Sequence, residues 1–573
     1  MTKQIPDTLT LEERAKLAVN AAVGLADHEY GFIPFFSGNL IENPASMQHG
    51  DWDYGSTHGR LIDALILARN MSGSSLGDDI EKHYRENFMS FFAEDGLSYR
   101  REHPHGHWKE TANLIDQRSV LLALTSWYMS TKDENVKQAA DAHVAALKRI
   151  TVKEKDVWYY PASEYTKDGW PSANAVQLRL APDPASFSGR LIMPLLKYHE
   201  LTGNGDALEL CHYFVNLIVH RSGVFNEDGS FNSALAYRSG HFHTRLGTLD
   251  GLARFALFKR DHSLSAFVKK SYDWALSQST SFGWTPGDMQ EQRYEHETCS
   301  LVDLISTGIS LARAGYTEYW SVVERFLRNH LTESQLIDLD WVKSADSTAN
   351  DEAGWRTHFQ VGERLLGAFA GYSAPNDYAC DVNYGRGHIN DVQACCIGSG
   401  TRGLFLGWRN IVTEDNGAVS VNLLLNRGSK WLDVMSYLPH EGKVELQIHE
   451  GFKWLHIRIP KWAGYSKVKA VRMGAGESAV IEGAKPSVWM KPDYFTVSDV
   501  RAGEKITVTF PLLEETTIEY AVGQEFRVTW RGDDVVHISP EGEYRPFYNH
   551  KTVSETAPLK AGDLHRVEDE LDW

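Results

Sequence analysis

Two cysteines stand side by side in the stretch DVQACCIGSGTRG, which spans residues 391–403. They are Cys395 and Cys396, in a chain that has only five cysteines. A disulfide between neighbouring residues is strained, because disulfide geometry keeps the two Cα atoms well apart. Three interpretations follow: two small residues of the core, halves of two separate disulfides, or two thiolate ligands of one metal ion.

A second group of metal-binding residue types lies about a hundred residues earlier, in RYEHETCSLVDLI. Glu297 and Cys299 are two residues apart, a spacing that suits an extended or turn segment better than a helix. Three thiolates and one carboxylate would supply the four ligands that Zn²⁺ prefers. The alternative is that Cys299, Cys395 and Cys396 are small buried residues, a common fate of unpaired cysteine.

The part of the chain that must position these groups has a helical pattern. Six segments share a turn, often with Gly and Arg, followed by apolar residues at intervals of three and four, which predicts buried helix faces. Because further helical stretches separate them, we predict helical hairpins that close into an (α/α)6 barrel, with the starts of the inner helices at one rim. The alternative is an open helical solenoid. The six segments are 58–73, 116–131, 187–203, 245–261, 299–315 and 400–412.

The pattern changes near TEDNG, at residues 413–417. Short alternating runs such as KVELQIHE and KITVTF follow, bounded by Gly, Pro, Asn and Asp, which is typical of a β-sandwich. The chain is therefore predicted to be an α+β multidomain protein. Residues 1–412 form the (α/α)6-barrel catalytic domain and residues 413–573 the C-terminal β-sandwich. The acidic stretch AGDLHRVEDELDW at its end is expected to be a short, loosely held tail.

Composition excludes several classes of partner. The formal net charge of −18 argues against nucleic acid, whose protein partners need a basic face. No stretch approaches the length of a membrane span, and the start lacks the apolar run of a signal peptide. A small, odd number of cysteines points away from a disulfide framework and towards metal or catalytic use. We expect a cytoplasmic protein without nucleic-acid or membrane partners, as a monomer or a homodimer.

Four motifs together resemble glycoside hydrolase family 127, the β-L-arabinofuranosidase family. They are ETC (297–299), the helix YWSVVERFLRNHL (319–331), ACC (394–396) and RIPKWA (458–463). The likeness runs from the helical segments through the strand-rich region. It implies the same pairing of an (α/α)6 barrel with β-sandwich modules.

The resemblance also implies a metal site and a mechanism. By analogy with the family, Glu297, Cys299, Cys395 and Cys396 would hold a zinc ion, and Cys395 would be the nucleophile. A thiolate that attacks an anomeric carbon and is then displaced by water gives net retention, as in carboxylate-based retaining enzymes. Four protein ligands normally signal a structural zinc, so one sulfur must react while bound or leave the metal.

A retaining mechanism needs a second group that protonates the leaving oxygen. In the family this is a Glu that follows a Gly upstream of the ETC motif. Here the corresponding stretch is shorter, with Asp288 after Gly287 and with Glu291 and Glu295 nearer the motif. Glu291 is the first candidate for the acid/base and Asp288 the second. The alternative is that all three are solvated loop carboxylates.

The family also places histidines at the starts of inner helices, where they contact the sugar. His241 and His243 of GHFHTR lie near the expected place, whereas DQRSV (116–120) and FSGRL (187–191) have no histidine. The turn predicted after the cysteines is IGSG and lacks the proline usual in the family. These departures indicate a distant branch with a different sugar or linkage.

Two further polar clusters are candidates for substrate contact. Asp51 and Asp53 precede the first inner-helix segment, and Arg386 and His388 stand close to the cysteines in sequence. An arginine there could hold a substrate carboxylate through two hydrogen bonds. For each cluster the alternative is helix capping and loop hydrogen bonding.

The sequence therefore predicts a retaining glycoside hydrolase with Zn²⁺ as cofactor. It would release a terminal sugar, β-L-arabinofuranose-like or related, from a short oligosaccharide. Two alternatives remain at this stage: a non-catalytic sugar-binding protein with a structural zinc, and a lyase or epimerase on the same barrel, since a fold does not fix a function.

Overall fold

A computed structural model describes most of the chain. The described residues are 4–50, 52–101, 110–171, 183–232, 241–289, 296–346, 354–380, 391–474, 478–482, 493–549 and 553–573.

Helices dominate the first part of the chain, as the apolar spacing predicts. π-helical turns over Leu217–Arg221 and Leu327–Leu331 extend the eighth and twelfth helices. The helices are α1 (Leu11–Gly24), α2 (Gly55–Ser72), α3 (Asp78–Ser90), α4 (Leu114–Thr131), α5 (Glu134–Arg149), α6 (Pro184–Phe187), α7 (Ile192–Thr202), α8 (Gly205–Asn216), α9 (Phe242–Lys259), α10 (His262–Ser277), α11 (Thr298–Arg313), α12 (Tyr319–Phe326), α13 (Val361–Leu365) and α14 (Ala394–Ile411).

Six of these helices make a closed circuit of contacts. Helix α2 contacts α4, α4 contacts α7, α7 contacts α9, α9 contacts α11, α11 contacts α14, and α14 returns to α2. These are the helices of the six predicted segments. Helix α11 is buried from Thr298 to Ala312, and α2 from Gly55 to Ala68. Burial on every side is what a helix between other elements requires. We call α2, α4, α7, α9, α11 and α14 the inner ring.

Each inner-ring helix also contacts a more exposed neighbour. Helix α1 packs on α2 and α14, and α3, α5, α8, α10 and α12 pack on α2, α4, α7, α9 and α11. The outer helices bury one stripe only. In α5 the buried apolar residues include Val136, Ala140, Val144 and Leu147, which share one face at intervals of three and four.

The strands are short before residue 412 and longer after it, in agreement with the predicted change of pattern. They are β1 (Gln4–Pro6), β2 (Ala26–Asp27), β3 (Ile33–Pro34), β4 (Ser37–Asn39), β5 (Ser46–Gln48), β6 (Ala112–Asn113), β7 (Val152–Glu154), β8 (Val157–Tyr159), β9 (Glu164–Tyr165), β10 (His296–Glu297), β11 (Arg356–Thr357), β12 (Tyr372–Ser373), β13 (Val392–Gln393), β14 (Val412–Asp415), β15 (Ala418–Val421), β16 (Arg427–Gly428), β17 (Leu432–Ser436), β18 (Lys443–Ile448), β19 (Phe452–Arg458), β20 (Lys469–Met473), β21 (Ser478–Glu482), β22 (Tyr494–Val500), β23 (Lys505–Thr509), β24 (Glu514–Ala521), β25 (Gln524–Arg531), β26 (Asp534–Ser539) and β27 (Leu559–Ala561).

Three sheets make up most of the strand-rich region. Their strand orders are β14-β15-β19-β22, β16-β17-β18-β23-β20-β21 and β24-β25-β26. Neighbouring strands are antiparallel except β15 and β19, which run parallel. Buried and less buried residues alternate along β18 and β23, so one face of that sheet is covered by the core.

The two ends of the described chain are tied into the structure. Strand β1 pairs with β27, and Thr8 Oγ1 donates to the carbonyl of Ser436 at 2.7 Å. Trp573 is buried, and its Nε1 donates to Ser126 Oγ at 2.8 Å. The expectation of a loosely held acidic tail was therefore wrong at its end, because this tryptophan packs against the inner ring.

None of the helices in the described ranges is both long and apolar enough to cross a membrane.

The predicted glycine-rich turn after the cysteines is instead part of α14, which runs without interruption through residues 397–400. The glycines serve close packing. A Cβ on Gly398 would lie 2.8 Å from Cβ of Arg60 on α2. Glycine at this position therefore lets two inner-ring helices approach, and no turn is needed.

The same close approach gives a stability test at Gly59. A Cβ there would lie 2.4 Å from the carbonyl oxygen of Ser119 on α4, a backbone atom that cannot move aside alone. We expect Gly59→Ala to destabilise the protein by about 1–3 kcal/mol, as overpacking does. Thermal unfolding measures it. Gly205→Ala is the control, since no atom lies within 4 Å of its added Cβ. Equal unfolding temperatures for the two variants would contradict the tight α2–α4 contact.

Candidate metal centre

Glu297, Cys299, Cys395 and Cys396 meet where α11 and α14 begin. One ligand atom from each lies within 4.8 Å of the others. Cys396 Sγ is 3.6 Å from Cys299 Sγ and 3.9 Å from Cys395 Sγ. In a tetrahedral zinc site with Zn–S bonds of about 2.3 Å, two sulfurs lie about 3.8 Å apart. The donor types and their spacing therefore fit one four-coordinate metal ion.

Two strand-to-helix junctions create this arrangement. Glu297 ends β10, opposite Tyr372 of β12, and Cys299 lies in the first turn of α11. Strand β13 pairs with β4, and α14 begins at once with Ala394, so that both adjacent cysteines lie in its first turn. Because α11 and α14 contact each other, their amino-terminal ends converge. The positive ends of two helix dipoles then favour anionic ligands.

The three sulfurs differ in exposure and in proton affinity. Cys299 and Cys396 are fully buried, whereas Cys395 is partly exposed. Hydrogen bonds from the thiols of Cys299 and Cys396 lower the pKa of Cys395 well below its ordinary value, and the charge of Arg60 acts in the same direction. Burial raises the pKa of the Cys396 thiol. Cys395 is therefore the sulfur best suited to meet a reactant.

Arg60 was not among the residues selected from the sequence, although it contacts the cluster directly. Its Nη1 lies 3.4 Å from Cys299 Sγ, 3.3 Å from the carbonyl oxygen of Cys395 and 3.0 Å from Ser399 Oγ. The side chain is buried on α2. A buried guanidinium beside sulfur stabilises the thiolate form.

His241, one of the predicted site residues, contacts the cluster, and Asp288 pairs with it through the backbone. His241 Nε2 is 2.6 Å from Glu297 Oε2. His241 and Asp288 form an isolated backbone bridge, and the side chain of His241 is 31% exposed. A histidine that contacts a ligating carboxylate would orient it, a common arrangement around protein-bound metals.

His243 lies behind the cluster and is buried. Its Nε2 is 2.6 Å from Arg190 Nη2, and its Nδ1 is 2.6 Å from Asp303 Oδ2. Burial, followed by the charge of Arg190, lowers the pKa of His243 well below its ordinary value, so the ring is neutral. Both ring nitrogens contact protein groups, which gives this histidine a positioning role in place of the predicted sugar contact.

Asp53, another candidate for substrate contact, is fully buried in a structural cluster. Its Oδ2 is 2.8 Å from His49 Nδ1, while His49 Nε2 is 3.0 Å from Asp27 Oδ2. Burial alone would lower the pKa of His49, but hydrogen bonds to the two carboxylates outweigh it and raise the pKa to about 9. The positive imidazolium thus joins the loops that precede α2.

The remaining predicted site residues lie outside the described residues. They are Asp51, Glu291, Arg386 and His388.

Tyr372 is a second residue that the sequence did not single out. It faces Glu297 across the β10–β12 pair. Burial raises the pKa of its hydroxyl well above the ordinary value, and the charges of Glu297 and Cys395 add to this effect. The hydroxyl therefore keeps its proton beside the cluster and can donate a hydrogen bond. Tyr372 reaches the cluster because β12 pairs with β10, two strands far apart in sequence. No local sequence pattern predicts this position.

Comparison with known proteins gives a likeness of fold. No family model matches the sequence, and no curated protein matches it. Among solved structures, a family-127 β-L-arabinofuranosidase from Geobacillus stearothermophilus T6 is 16% identical, with a TM-score of 0.57, and the match covers 92% of this chain and 80% of that one. A family-127 β-arabinofuranosidase is 15% identical, with a TM-score of 0.57 and coverages of 91% and 79%.

A third structure, described as a glycoside hydrolase, is 14% identical, with a TM-score of 0.56 and coverages of 89% and 84%. The resemblance to family 127 that the motifs predict is confirmed by these matches, at the level of the fold. At identities this low, the roles of individual residues cannot be transferred from the relatives. They depend on the geometry of the site.

The difference in exposure among the cysteines can be tested chemically. In metal-stripped protein under native conditions, we expect iodoacetamide to modify Cys395 at least about tenfold faster than the other cysteines, because only this sulfur is partly exposed. Peptide mass spectrometry after timed quenching measures the rates. The buried Cys211, far along the chain, is the internal control. Faster modification of Cys299 or Cys396 would contradict the geometry.

Proposed function

We propose that this protein is a retaining glycoside hydrolase that uses a zinc-bound cysteine as nucleophile. The observation that carries the proposal is the cluster of three sulfurs and one carboxylate, with one sulfur exposed to a reactant. The fold-level likeness to family 127 supports a glycosidase reaction, since the named relatives are β-arabinofuranosidases. Zinc is the proposed metal, because thiolates with a carboxylate in tetrahedral spacing suit it well.

We extend the proposal to the architecture. The inner ring and its outer helices support an (α/α)6-barrel catalytic domain over residues 1–412. The sheets after Val412 support a β-sandwich domain over residues 413–573. In such a barrel the starts of α11 and α14 lie at one rim, where loops before the inner helices can shape a sugar site.

In the first step, Cys395 Sγ attacks the anomeric carbon. The carbon–sulfur bond forms as the bond to the leaving oxygen breaks, and a carboxylic acid gives its proton to that oxygen. Zinc, when bound, would keep the thiols deprotonated at neutral pH. Cys299, Cys396 and Glu297 fix the position of the reactive sulfur, while Arg60 holds Cys299 and the backbone of Cys395.

In the second step, the carboxylate takes a proton from water as the water oxygen attacks the same carbon and the carbon–sulfur bond breaks. Two displacements at one carbon give net retention. Asp288 and Glu291 are the proposed acid/base candidates. Asp288 gains support from its backbone bridge to His241, which contacts Glu297.

The proposed substrate is a short oligosaccharide or glycoside with a terminal β-L-arabinofuranose-like sugar. His241 keeps its place as a sugar contact, since part of its side chain is exposed beside Glu297. Asp51, Arg386 and His388 stay predicted contacts from the sequence. The five cysteines carry no disulfide, which suits a reducing compartment and supports a cytoplasmic enzyme acting on imported fragments.

A sugar-binding protein with a structural metal is the second candidate. Four protein ligands normally close a structural zinc site, and this cluster offers four. A hydrolase converts its glycoside substrate, whereas a sugar-binding protein leaves it unchanged. Measured substrate turnover therefore distinguishes the two candidates.

The metal proposal predicts one zinc per chain. Elemental analysis of protein purified without added metal should give about one equivalent for the wild type and close to none for Cys396→Ala, because a buried ligand is lost. Cys211→Ala is the matched control: it removes a buried cysteine on α8, away from the cluster. Wild-type protein without zinc, and with both adjacent cysteines freely alkylated, would overturn the metal mechanism.

The hydrolase proposal predicts turnover that depends on Cys395. A panel of p-nitrophenyl glycosides, β-L-arabinofuranoside among them, should give measurable release with wild type. For Cys395→Ala we expect a loss on the order of 10³-fold or more in kcat, with substrate binding retained, because the nucleophile itself is removed. Cys211→Ala should keep its activity. Sugar binding without turnover in wild type would favour the binding protein, and an ultraviolet-absorbing unsaturated product would favour a lyase.

A further inference from the structure

Five of the six inner-ring segments carry an arginine: in the first two turns of α2, α4 and α9, just before α7, and midway along α14. The sequence repeats the pattern in HGRLI, DQRSV, SGRLI, HTRLG and GTRGL, each ahead of the apolar stripe. All five side chains are buried, with at most 7% of the residue surface exposed. A buried guanidinium needs a counter-charge, because removing an ion from water is expensive. The five are Arg60, Arg118, Arg190, Arg245 and Arg402.

Two of the five have a carboxylate of their own. Arg245 Nη1 is 2.9 Å from Asp183 Oδ1, and both side chains are fully buried. Arg402 Nη1 is 2.9 and 2.8 Å from the two carboxylate oxygens of Asp63. Each of these two pairs has no net charge, so neither arginine needs a further counter-charge.

Three carboxylates line the cavity beside the other three arginines, but Asp63 is paired with Arg402 and Asp250 with Arg254, which leaves Asp303. Arg190 Nη2 and Arg60 Nη2 both approach His243 Nε2, at 2.6 and 3.4 Å, and His243 Nδ1 contacts Asp303 Oδ2 at 2.6 Å. Arg118 lines the same cavity of ≈ 20 Å³ as Arg60 and Asp303. Since His243 accepts at Nε2 and donates at Nδ1, it is neutral and adds no charge.

The triad Arg60, Arg118 and Arg190 is thus short of negative charge. With Asp63 and Asp250 already paired, the three guanidinium groups share Asp303 alone, which leaves an excess of two positive charges. The Nε atom of each is buried without a hydrogen-bond partner among the described residues. Burial lowers the pKa of Arg118 and Arg190 and raises that of Asp303, so these charges need support from a further anionic group.

The cysteine cluster supplies that group when a divalent metal is bound. Glu297 and three thiolates carry four negative charges, and a divalent ion cancels two of them. The remaining two negative charges equal the excess on the arginines. Arg60 joins the two sets physically, since its Nη1 reaches Cys299 Sγ at 3.4 Å while its Nη2 faces His243.

We infer that Arg60, Arg118 and Arg190 are the built-in counter-charge of a dianionic divalent-metal centre, and that Arg60 is its positioning residue. The inference rests on the proposed metal centre and deepens it. Charge matching selects a divalent ion, because a monovalent or trivalent ion in the same four ligands leaves the buried network unbalanced. Charge balance also implies that the bound metal stabilises the fold only when the three arginines are present, and that the arginines do so only when the metal is bound.

The test compares metal affinity and thermal stability in four proteins: wild type, Arg60→Met, Arg118→Met and Arg402→Met. Nε of Arg118 is buried without a hydrogen-bond partner among the described residues, so Arg118→Met mainly removes charge. Arg402→Met is the matched control, a buried inner-ring arginine with its own carboxylate. Zn²⁺ affinity is measured by competition with a chromophoric chelator, and unfolding temperatures are measured in metal-free and zinc-loaded protein.

We expect Arg60→Met and Arg118→Met to bind Zn²⁺ about 10–100-fold more weakly than wild type, as loss of outer groups around a metal typically does. Arg60→Lys, which keeps the charge, should recover most of the affinity. Both methionine variants should lower the unfolding temperature of the zinc-loaded protein but not of the metal-free protein. Arg402→Met should lower both, because it strands the carboxylate of Asp63 in either state.

Unchanged zinc affinity in Arg118→Met, with tight binding by wild type, would overturn the inference and leave the proposed function standing. Equal loss of stability in the metal-free and loaded forms of Arg118→Met would also overturn it, since that is the behaviour of a structural residue. A wild type that binds no Zn²⁺ would overturn the metal centre and the inference together.

Discussion

The contact between the first turns of α11 and α14 determines the rest of the site. It closes the inner ring between these two helices, and it holds Cys299 Sγ 3.6 Å from Cys396 Sγ. Each helix enters from a short strand that is paired elsewhere, β10 with β12 and β13 with β4, so the direction of entry is fixed before the first turn. The sulfurs are therefore brought together by the path of the backbone and do not depend on long flexible side chains.

The interior of the ring is polar where most protein cores are apolar. Charged side chains from α2, α4, α9, α11 and α14 line its central cavity, while the apolar packing lies between the inner and outer helices and in the sheets. Buried ion pairs add little stability over apolar residues of the same size. The buried charges beside the sulfurs are better understood as an electrostatic environment for an anionic centre. The apolar packing around the ring supplies the stability of the fold.

Much of this arrangement was accessible from the sequence. The six inner-ring helices follow from apolar spacing, which is a local property, and the cluster follows from residue types that few other sites combine. The roles of His241 and His243 were harder to separate. Two residues apart on one backbone, they face different partners, Glu297 and Asp303, because His241 precedes α9 in non-helical backbone whereas His243 lies in its first turn. The point at which the helix begins therefore separates a partly exposed histidine from a buried one.

Residues that depend on distant pairing were missed. Tyr372 reaches the cluster only because β12 pairs with β10. The sequence IGSG predicts a turn, and only the close packing of Gly398 against Arg60 of α2 explains why glycine is needed within a helix. The repeated arginine after each turn was visible in the sequence. Its meaning was not, since pairing with Asp183 or Asp63 separates two of the arginines from the three that face the cluster.

The pairing of β1 with β27 has a consequence for how the chain folds as it is made. The partner strand of residues 4–6, residues 559–561, is synthesised more than five hundred residues after them. At roughly 5–20 residues per second, this delay is about half a minute to two minutes. Throughout that time the inner ring can assemble, but the first strand has no sheet to join. Synthesis of β27 is thus the event that secures β1, and a chain that stalls before residue 559 keeps β1 without its partner strand.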